Sequence, residues 1–358
     1  MNQVRLNKVL QGMENSNIPQ MVICDPSSIF YLTGKWIFPG ERMLALYLTL
    51  IGKHKLFVNE LFSGMGEAPV ETIWFNDTQN GVEVLAPYIK DGEPIGIDKA
   101  WTANFLLRLM KIKNTNSFVN GSRLVDSVRM CKDKNEQRLM REASRINELA
   151  IDSVIKLIPR NYYERQVAQL LPGIYAGLGA ENCAFDPIIA YGANGADSHH
   201  EPGNCLIKPG NSVIVDIGCR KDGYCSDMTR TVFYKYVSDA ARKIYNTVLE
   251  ANQRAIDVVK PGVRFCDIDA AARNHIEAAG YGKLFTHRTG HSIGLDVHEF
   301  GDVSATNIDT VQPGMIFSIE PSIKIPGEYG VRIEDLVLVT QDGVEILNKY
   351  DKKLIIVE

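Results

Sequence analysis

The sequence has no long apolar run, no large excess of one charge and no recognisable secretion signal. Its most apolar stretch, residues 43–51, is far shorter than the ~20 residues that cross a bilayer as a helix. The start of the chain lacks an apolar segment followed by a cleavage site, so we expect a cytoplasmic protein. The net charge of -4 and the pI near 6.0 argue against general attraction to nucleic acid or to anionic membranes. We therefore expect neither nucleic acid nor a membrane as a partner.

Cysteine is present, but its usual patterns are missing. The seven cysteines are odd in number, scattered along the chain and without CxxC spacing. This distribution argues against a disulfide framework and against a zinc knuckle, and it favours reduced thiols. The sequence assigns no chemistry to these residues, which are Cys24, Cys131, Cys183, Cys205, Cys219, Cys225 and Cys266.

The length of 358 residues exceeds that of a typical single core, which predicts two domains. Residues 1–128 alternate strand and helix patterns and contain no catalytic cluster, so they predict a small α/β module. A charged segment, residues 129–136, follows this module and precedes a long amphipathic helix at about 136–157. We place the domain boundary there and assign residues 129–358 to the second domain.

The second domain contains an internal repeat. Residues 155–180 resemble residues 256–282, since each has an apolar helix end, a proline turn, an amphipathic helix and a glycine-rich stop. Further on, KPG precedes the strand VIVDIG as QPG precedes IFSIEP, and an acid lies six residues after each glycine, Asp216 and Glu320. We expect two related halves, with a site at their pseudo-twofold interface.

A hairpin in the first half brings two acids together. Asp222-Gly223 is a typical type I′ turn sequence, and centring the hairpin there places Gly218 opposite Asp227, with Asp216 on the same face. Side chains at such diagonal positions reach each other. Because like charges repel and a buried acid is costly, we expect a cation between them.

The second half carries the corresponding acids, Glu320 and Glu334, around a longer loop. A loop centred on Gly327 would place these two acids directly opposite each other. Pro321 cannot donate to a strand ladder, so we expect a bulge or an edge position beside Glu320.

Three histidines, His287, His291 and His298, fall within a span of twelve residues in a glycine-rich run. Four carboxylates and an imidazole form an oxygen-rich donor set that suits Mn²⁺, Fe²⁺ or Co²⁺. Four negative charges exceed what one divalent ion balances, so two ions about 3.5–4 Å apart are the better hypothesis. A bridging water would then become hydroxide near neutral pH, and the natural reaction is hydrolysis of an acyl bond.

Residues of about 135–350 resemble the metallopeptidases with the pita-bread fold, which include methionine aminopeptidases, Xaa-Pro aminopeptidases and Xaa-Pro dipeptidases or prolidases. The resemblance is carried by VDIGCRKDGYCSDMTRT, HRTGHSIGLDVHE, IEP and VRIED. The first module, with DPSSIFYLTG, is similar to the module that precedes the catalytic domain in the Xaa-Pro branch. The resemblance implies an α/β (α+β) protein, with a small α/β module before a pseudo-twofold pita-bread catalytic domain. It also implies hydrolysis of the Xaa-Pro bond, by a metal-bridging hydroxide, in dipeptides or short peptides with proline in second position.

The resemblance further implies a role for each matching residue. Glu320 would carry a proton from the water to the leaving nitrogen, and His298 would donate to the developing oxyanion. Arg332 would orient the carboxylates. His199 and His287 match the substrate histidines, although the internal repeat pairs His298 with His200 instead. The implied ligands of two divalent ions, Mn²⁺ or alternatively Co²⁺, Fe²⁺ or Zn²⁺, are Asp216, Asp227, His291, Glu320 and Glu334.

Three positions depart from the family pattern: Ser292 and Ser322 replace glycine, and Lys324 replaces tyrosine. One hypothesis is that Lys324 binds the C-terminal carboxylate of a short substrate and favours dipeptides; the alternative is a solvent-exposed surface lysine. The family also implies a homodimer, in which the loop at Trp36 is a candidate to line the partner's pocket. The alternative for that loop is packing within its own module.

Two other readings of the fold remain open at this level. A creatinase-type hydrolase shares the two-domain plan, but that branch is implied to work without metal and without the five ligands, all of which are present here. A non-catalytic pita-bread binding protein would lose ligands and often gain charged extensions, and this chain does neither. The sequence does not distinguish a dipeptidase from an aminopeptidase.

Overall fold

The chain folds as two units, Met1–Arg129 and Met130–Glu358, in a computed structural model that describes all 358 residues. No helix combines the length and the apolar character that crossing a bilayer requires.

The first unit is built on one mixed six-stranded sheet with the strand order β4-β3-β2-β1-β5-β6. Its strands are β1 Gln20–Ile23, β2 Ala45–Thr49, β3 Lys55–Asn59, β4 Glu71–Phe75, β5 Ile95–Ile97 and β6 Phe118–Asn120. Its helices are α1 Gln3–Asn15, α2 Pro26–Thr33, α3 Gly81–Leu85, α4 Ala103–Ile112 and α5 Ser122–Met130, the last of which ends at the boundary. The sheet buries its apolar residues under these helices in a core of its own.

Local sequence explains how α2 begins and ends. The Asp25 carboxylate accepts a hydrogen bond from the backbone N–H of Ser28, and Pro26 occupies the first turn, where its missing N–H costs nothing. The helix ends at Gly34, whose φ of 74° is a left-handed conformation that glycine adopts without strain.

The loop that follows α2 carries a ladder of three aromatic rings. Trp36 stacks between Phe30, at 4.4 Å between ring centroids, and Phe38, at 5.5 Å. Ile37 is buried, whereas Phe38 is 71 % exposed. Part of this loop therefore packs within its own unit, and part of it faces solvent.

The second unit contains four long helices and several small sheets. The helices are α6 Lys134–Ile155, α7 Glu164–Gly177, α8 Asp239–Asp257 and α9 Phe265–Ala278. The strands of the first half are β7 Asn182–Cys183, β8 Ile188–Tyr191, β9 Ser212–Ile217, β10 Cys219–Lys221, β11 Tyr224–Cys225 and β12 Met228–Tyr234. Those that follow α9 are β13 Gly290–Ser292, β14 Glu299–Val303, β15 Ile316–Ile319, β16 Ser322–Ile325, β17 Tyr329–Arg332, β18 Asp335–Val339, β19 Val344–Ile346 and β20 Ile355–Val357.

The internal repeat is visible as two matching halves. Helices α6 and α7 pack with β8, β9 and β12 around one apolar core, and α8 and α9 pack with β15 and β18 around another. Corresponding asparagines tie each long helix to its sheet: Asn147 of α6 donates to the carbonyl of Ile217 at 2.7 Å, and Asn252 of α8 donates to that of Ile319 at 2.9 Å. Both asparagines are fully buried. Ile217 directly follows Asp216 and Ile319 directly precedes Glu320, so each long helix is anchored one residue away from an acid of its own half.

Candidate active site

The first pair of acids lies on the predicted hairpin. Asp222 and Gly223 have φ values of 49° and 82°, the positive values that a type I′ turn requires. The register is the same on both sides of a short interruption, from Lys221 opposite Tyr224 to Asp216 opposite Thr229, which places Gly218 opposite Asp227. The predicted turn and pairing are confirmed, and both acids are buried.

The second pair of acids, Glu320 and Glu334, is also positioned by antiparallel strand pairing. The pairing of Ile325 with Tyr329 centres the loop on Gly327, and the register is the same on both sides of Glu320 and Glu334. These two acids therefore lie opposite each other, as the sequence predicted. Of the two expectations for Pro321, the bulge is absent, since no extra residue shifts the register, and the ladder is instead interrupted just before β16, an edge strand of the two-stranded sheet β16-β17. The N–H of Glu320 donates instead to the carbonyl of Thr289 at 2.7 Å.

Hydrogen bonds across the two halves bring the pairs of acids together. The N–H of Glu334 donates to the carbonyl of Thr229 at 3.1 Å, and the hydroxyl of Thr229 donates to the carboxylate of Glu334 at 2.7 Å. Thr231 lies two residues after Thr229 on β12. Its hydroxyl donates to the carbonyl of Arg332 and accepts a hydrogen bond from the N–H of Arg332. Strand β12 is thus attached to the end of β17 and to the connection between β17 and β18 that carries Glu334, and all four acids line one cavity.

His291 reaches this cavity because Gly290 precedes it. A Cβ at Gly290 would lie 1.8 Å from the carbonyl oxygen of Ser318, so only glycine allows the two strands to approach this closely. The Nε2 atom of His291 lies 3.6 Å from Asp227 and 3.5 Å from Glu320. Burial lowers the pKa of His291 to about 3, and the imidazole is therefore neutral and able to bind a cation.

The cavity measures about 360 Å³ and brings the catalytic and metal-binding residues predicted from the sequence together. It is lined by Phe185, Asp186, Ile188, Ser198, His199, Asp216, Asp227, His287, Arg288, His291, Val297, His298, Glu320, Arg332 and Glu334. All nine predicted catalytic and metal-binding residues are in this set.

The electrostatics of the acids point to a cation. Burial, followed by repulsion from neighbouring carboxylates, raises the pKa of Asp227 and of Glu334 well above their ordinary values. Burial also raises the pKa of Glu320 to about 7. The buried atoms Asp216 Oδ1, Asp227 Oδ1 and Glu334 Oε1 have no hydrogen-bond partner in the protein. Buried anions without partners are costly, so these oxygens fit metal ligands better than structural groups.

The tightest donor group consists of Asp227, His291 and Glu334, which offer ligand atoms that all lie within 4.8 Å of one another. Asp216 turns its other oxygen toward Arg332, with which it forms a buried ion pair. Carboxylate oxygens and one neutral imidazole suit Mn²⁺, Fe²⁺ or Co²⁺. The donor set therefore fits divalent metal ions.

Thr229 is a site residue that the sequence analysis missed. Its hydroxyl donates to Glu334 and accepts a hydrogen bond from the Arg332 guanidinium at 3.2 Å, so it holds two site residues in position. The hairpin register, which places this threonine opposite Asp216, was the available signal. Arg288 was missed as well, although it lies between two of the predicted histidines; its exposed guanidinium lines the cavity.

The histidines occupy distinct positions. The two ring nitrogens of His287 contact the hydroxyl of Ser322 at 2.6 Å and the carbonyl of Arg288 at 2.7 Å. The rings of His298 and His291 meet edge to face, with 4.2 Å between their centroids.

The two neighbouring histidines of the first half differ in their surroundings. His199 is exposed and lines the cavity. His200 points away and contacts the buried carboxylate of Glu164 at 2.9 Å. The geometry therefore pairs His199, rather than His200, with the site.

Both parts of the chain match known protein families. Residues 138–341 match the model of metallopeptidase family M24, and residues 5–131 match the creatinase/prolidase N-terminal domain. The chain belongs to metallopeptidase family M24. The resemblance found in the sequence is confirmed, as is the fold class of a small α/β domain followed by a pita-bread catalytic domain.

Relatives of this M24 chain align over almost its full length. An uncharacterized peptidase of Staphylococcus aureus (strain MRSA252) is 33 % identical, and the alignment covers 97 % of this chain and 99 % of the relative. The crystal structure of a dipeptidase from Pyrococcus horikoshii OT3 matches with a TM-score of 0.92 and 34 % identity, covering 99 % of this chain and 100 % of the other. The structure of a Xaa-Pro dipeptidase from Bacillus anthracis matches with a TM-score of 0.89 and 28 % identity, covering 99 % of each chain. This M24 protein is a metallopeptidase, and its family implies divalent metal ions.

Proposed function

We propose that this metallopeptidase hydrolyses the Xaa-Pro bond at the N-terminus of dipeptides or short peptides, with two divalent metal ions, Mn²⁺ in the first place. The observation that carries the proposal is the convergence of four carboxylates and a neutral imidazole in one cavity, with three buried carboxylate oxygens left without partners. The match to a Xaa-Pro dipeptidase structure supports the substrate class.

Asp216, Asp227, His291, Glu320 and Glu334 are the proposed ligands. Divalent ions held by these residues would supply Lewis acidity and activate water near neutral pH. Thr229 and Arg332 would keep the carboxylates oriented, since both contact ligand side chains directly.

The remaining site residues would handle the proton and the substrate. The side chain of Glu320 is 16 % exposed, more than those of Asp216 and Asp227, so it is the acid best placed to take a proton from water and deliver it to the leaving proline nitrogen. His298, exposed at the cavity, would donate a hydrogen bond to the developing oxyanion. His199 and His287 would contact the bound peptide.

The test combines metal analysis with substrate turnover. Protein purified without chelator is expected to contain two divalent ions per chain and to cleave a Xaa-Pro dipeptide in Mn²⁺. Hydrolysis of creatine instead, without metal, would identify a creatinase-type enzyme. A folded protein with neither metal nor turnover would indicate a binding protein, and either result would contradict the proposal.

Replacing His199 by alanine should mainly lower activity, whereas replacing His200 by alanine should mainly lower stability. His199→Ala is expected to lower kcat/KM for a Xaa-Pro dipeptide by about 10- to 100-fold with little change in thermal stability, because the side chain is exposed at the cavity. His200→Ala should destabilise the protein by about 1–3 kcal/mol, because the fully buried Glu164 loses a partner. Steady-state kinetics and thermal unfolding of both variants check this. The assignment of His199 fails if His200→Ala has the larger kinetic effect while its unfolding midpoint stays unchanged.

Lys324 bears on the choice between dipeptidase and aminopeptidase. The alternative of a solvent-exposed surface lysine is wrong, since the residue is only 8 % exposed and its ammonium contacts the hydroxyl of Ser198, a cavity residue. Burial, followed by the charge of Arg332, lowers the pKa of Lys324 to about 8. We propose that this cation favours substrates with a C-terminal carboxylate next to proline, and hence dipeptides.

Lys324→Met is expected to reduce the preference for Xaa-Pro over Xaa-Pro-Yaa at least about fivefold, a loss of roughly 1 kcal/mol of selectivity. The measurement is the ratio of kcat/KM values for the two substrates. Lys283→Met, at an exposed lysine outside the cavity lining, is the matched control and should leave the ratio unchanged. If the ratio changes in Arg288→Met but not in Lys324→Met, the carboxylate is bound by Arg288 and the proposal for Lys324 is wrong.

The homodimer, with Trp36 of one chain near the site of the other, is also proposed from the resemblance alone. The exposed ring of Phe38 beside Trp36 is compatible with such a contact. Sedimentation of the wild type and of Phe38→Ser at micromolar concentration is the measurement, and a monomeric wild type would refute the dimer.

A further inference from the structure

Two of the seven cysteines lie directly opposite each other on neighbouring strands. Cys219 of β10 pairs with Cys183 of β7 in an antiparallel ladder, and side chains at paired positions project from the same face. The N–H of Ala184 donates to the carbonyl of Gly218 at 2.8 Å, so the hydrogen bonds flank the cysteine pair. The N–H and C=O of Cys219 point the other way, toward Ser226.

Cys183 and Cys219 therefore form a non-hydrogen-bonded pair, the type in which side chains come closest. The Cα atoms of such a pair are about 4.5 Å apart, which is within the range of about 4.4–6.8 Å that a disulfide spans. The backbone pairing of the two cysteines is therefore compatible with a disulfide between them.

The two thiols differ in accessibility. Cys219 is fully buried, and its sulfur contacts the carbonyl of Ala143 at 3.4 Å and the hydroxyl of Ser226 at 3.3 Å. Cys183 is partly exposed, and its strand is at the edge of the three-stranded sheet β11-β10-β7. A reagent in solution therefore reaches Cys183 first, and Cys219 lies directly behind it.

We propose that Cys183 and Cys219 form a reversible oxidation site that exchanges with low-molecular-weight disulfides. In the first step, Cys183 loses its proton to solvent and its sulfur attacks the disulfide, whose S–S bond breaks and releases one small thiolate. In the second step, Cys219 loses its proton and attacks the sulfur of Cys183, which forms the intramolecular bond and releases the second thiolate. The two protein thiols are oxidised, and one small disulfide is reduced to two thiols.

The site lies close to the wall of the catalytic cavity. Only Ala184 separates Cys183 from Phe185 and Asp186, which line that cavity, and a Cβ at Gly218 would lie 2.5 Å from the ring of Phe185. A disulfide here would fasten this part of the wall to the hairpin that carries Asp216 and Asp227. The proposal concerns the thiols alone and does not depend on the substrate of the enzyme.

The experiment treats the full-length, metal-loaded protein with bis(2-hydroxyethyl) disulfide. Burial raises the pKa of Cys183 and raises that of Cys219 to about 11, so the reaction is followed for several hours at mildly alkaline pH. After acid quenching, we expect the loss of two free thiols and a linked pair of peptides containing Cys183 and Cys219. We also expect the thermal unfolding midpoint to rise by about 5 °C, because the link constrains the unfolded chain.

Three variants make the result specific. Cys183→Ser and Cys219→Ser should not form the linked peptides, whereas Cys205→Ser, at another partly exposed cysteine, should form them like the wild type. Cys219→Ala serves as a second variant if Cys219→Ser does not fold. The proposal is overturned if Cys183 stops at the mixed disulfide, if another cysteine pair forms instead, or if the folded protein retains all seven thiols.

Discussion

Replacing Asp227 by asparagine is expected to lower kcat/KM for a Xaa-Pro dipeptide at least about a thousandfold while it stabilises the metal-free protein. The carboxylate lies 3.6 Å from Nε2 of His291 and belongs to the tightest donor group, so its loss should remove several kcal/mol of transition-state stabilisation. Without metal, the same substitution removes one of several buried like charges, and the free energy of unfolding should rise by about 1–3 kcal/mol. Kinetics in Mn²⁺ and chemical unfolding in chelator measure the two effects.

Asp222→Asn is the matched control for this prediction. The residue is on the same hairpin, its carboxylate is exposed, and asparagine tolerates its positive φ of 49°. Both its activity and its unfolding should match the wild type. If Asp227→Asn kept its full metal content and turnover, the acid would not be a ligand and the proposed centre would be wrong.

The chelated protein is expected to lose stability as the pH rises from about 4.5 to 7. Burial raises the pKa of Glu320 to about 7, and the pKa values of Asp227 and Glu334 are raised in the same direction. The folded state thus holds these protons more tightly than the unfolded state does, and this contribution is complete below the unfolded pKa and lost as the pH passes the folded pKa. For Glu320 alone the loss is roughly 3 kcal/mol.

The metal-loaded protein should show the opposite trend over the same interval, because deprotonated ligands bind divalent ions more tightly. The difference between the unfolding midpoints of Mn²⁺-loaded and chelated protein should therefore widen from pH 5 to pH 7.5. The measurement is thermal unfolding at half-unit pH steps at constant ionic strength. Parallel curves would show that no metal is held by these acids.

Local sequence rules were sufficient for the hairpin and for much of the fold. The Asp222-Gly223 turn sets a register that continues to Asp216, because a two-residue loop leaves only one pairing of the flanking strands. The internal repeat correctly indicated two halves, each with its own core.

Local sequence rules did not predict the contacts between segments that are distant in the chain. Lys324 had the pattern of a surface lysine, yet packing against the loop that contains Ser198 buries it. The repeat alone favoured His200, which instead contacts Glu164 on α7. Pro321 interrupts its ladder without a bulge, because Glu320 bonds to the backbone of Thr289, thirty-one residues earlier.

The sequence by itself determined the register of the first acid pair, the duplicated architecture and the acids and histidines available to the site, since all of these depend on neighbours along the chain or on repetition. Only the tertiary structure decided that Asp227 and Glu334, from different halves, approach each other with His291 so closely that their charges cannot coexist without a partner. The physical reason is that desolvation and Coulomb repulsion depend on distances in space, and here those distances join strands more than a hundred residues apart in the chain.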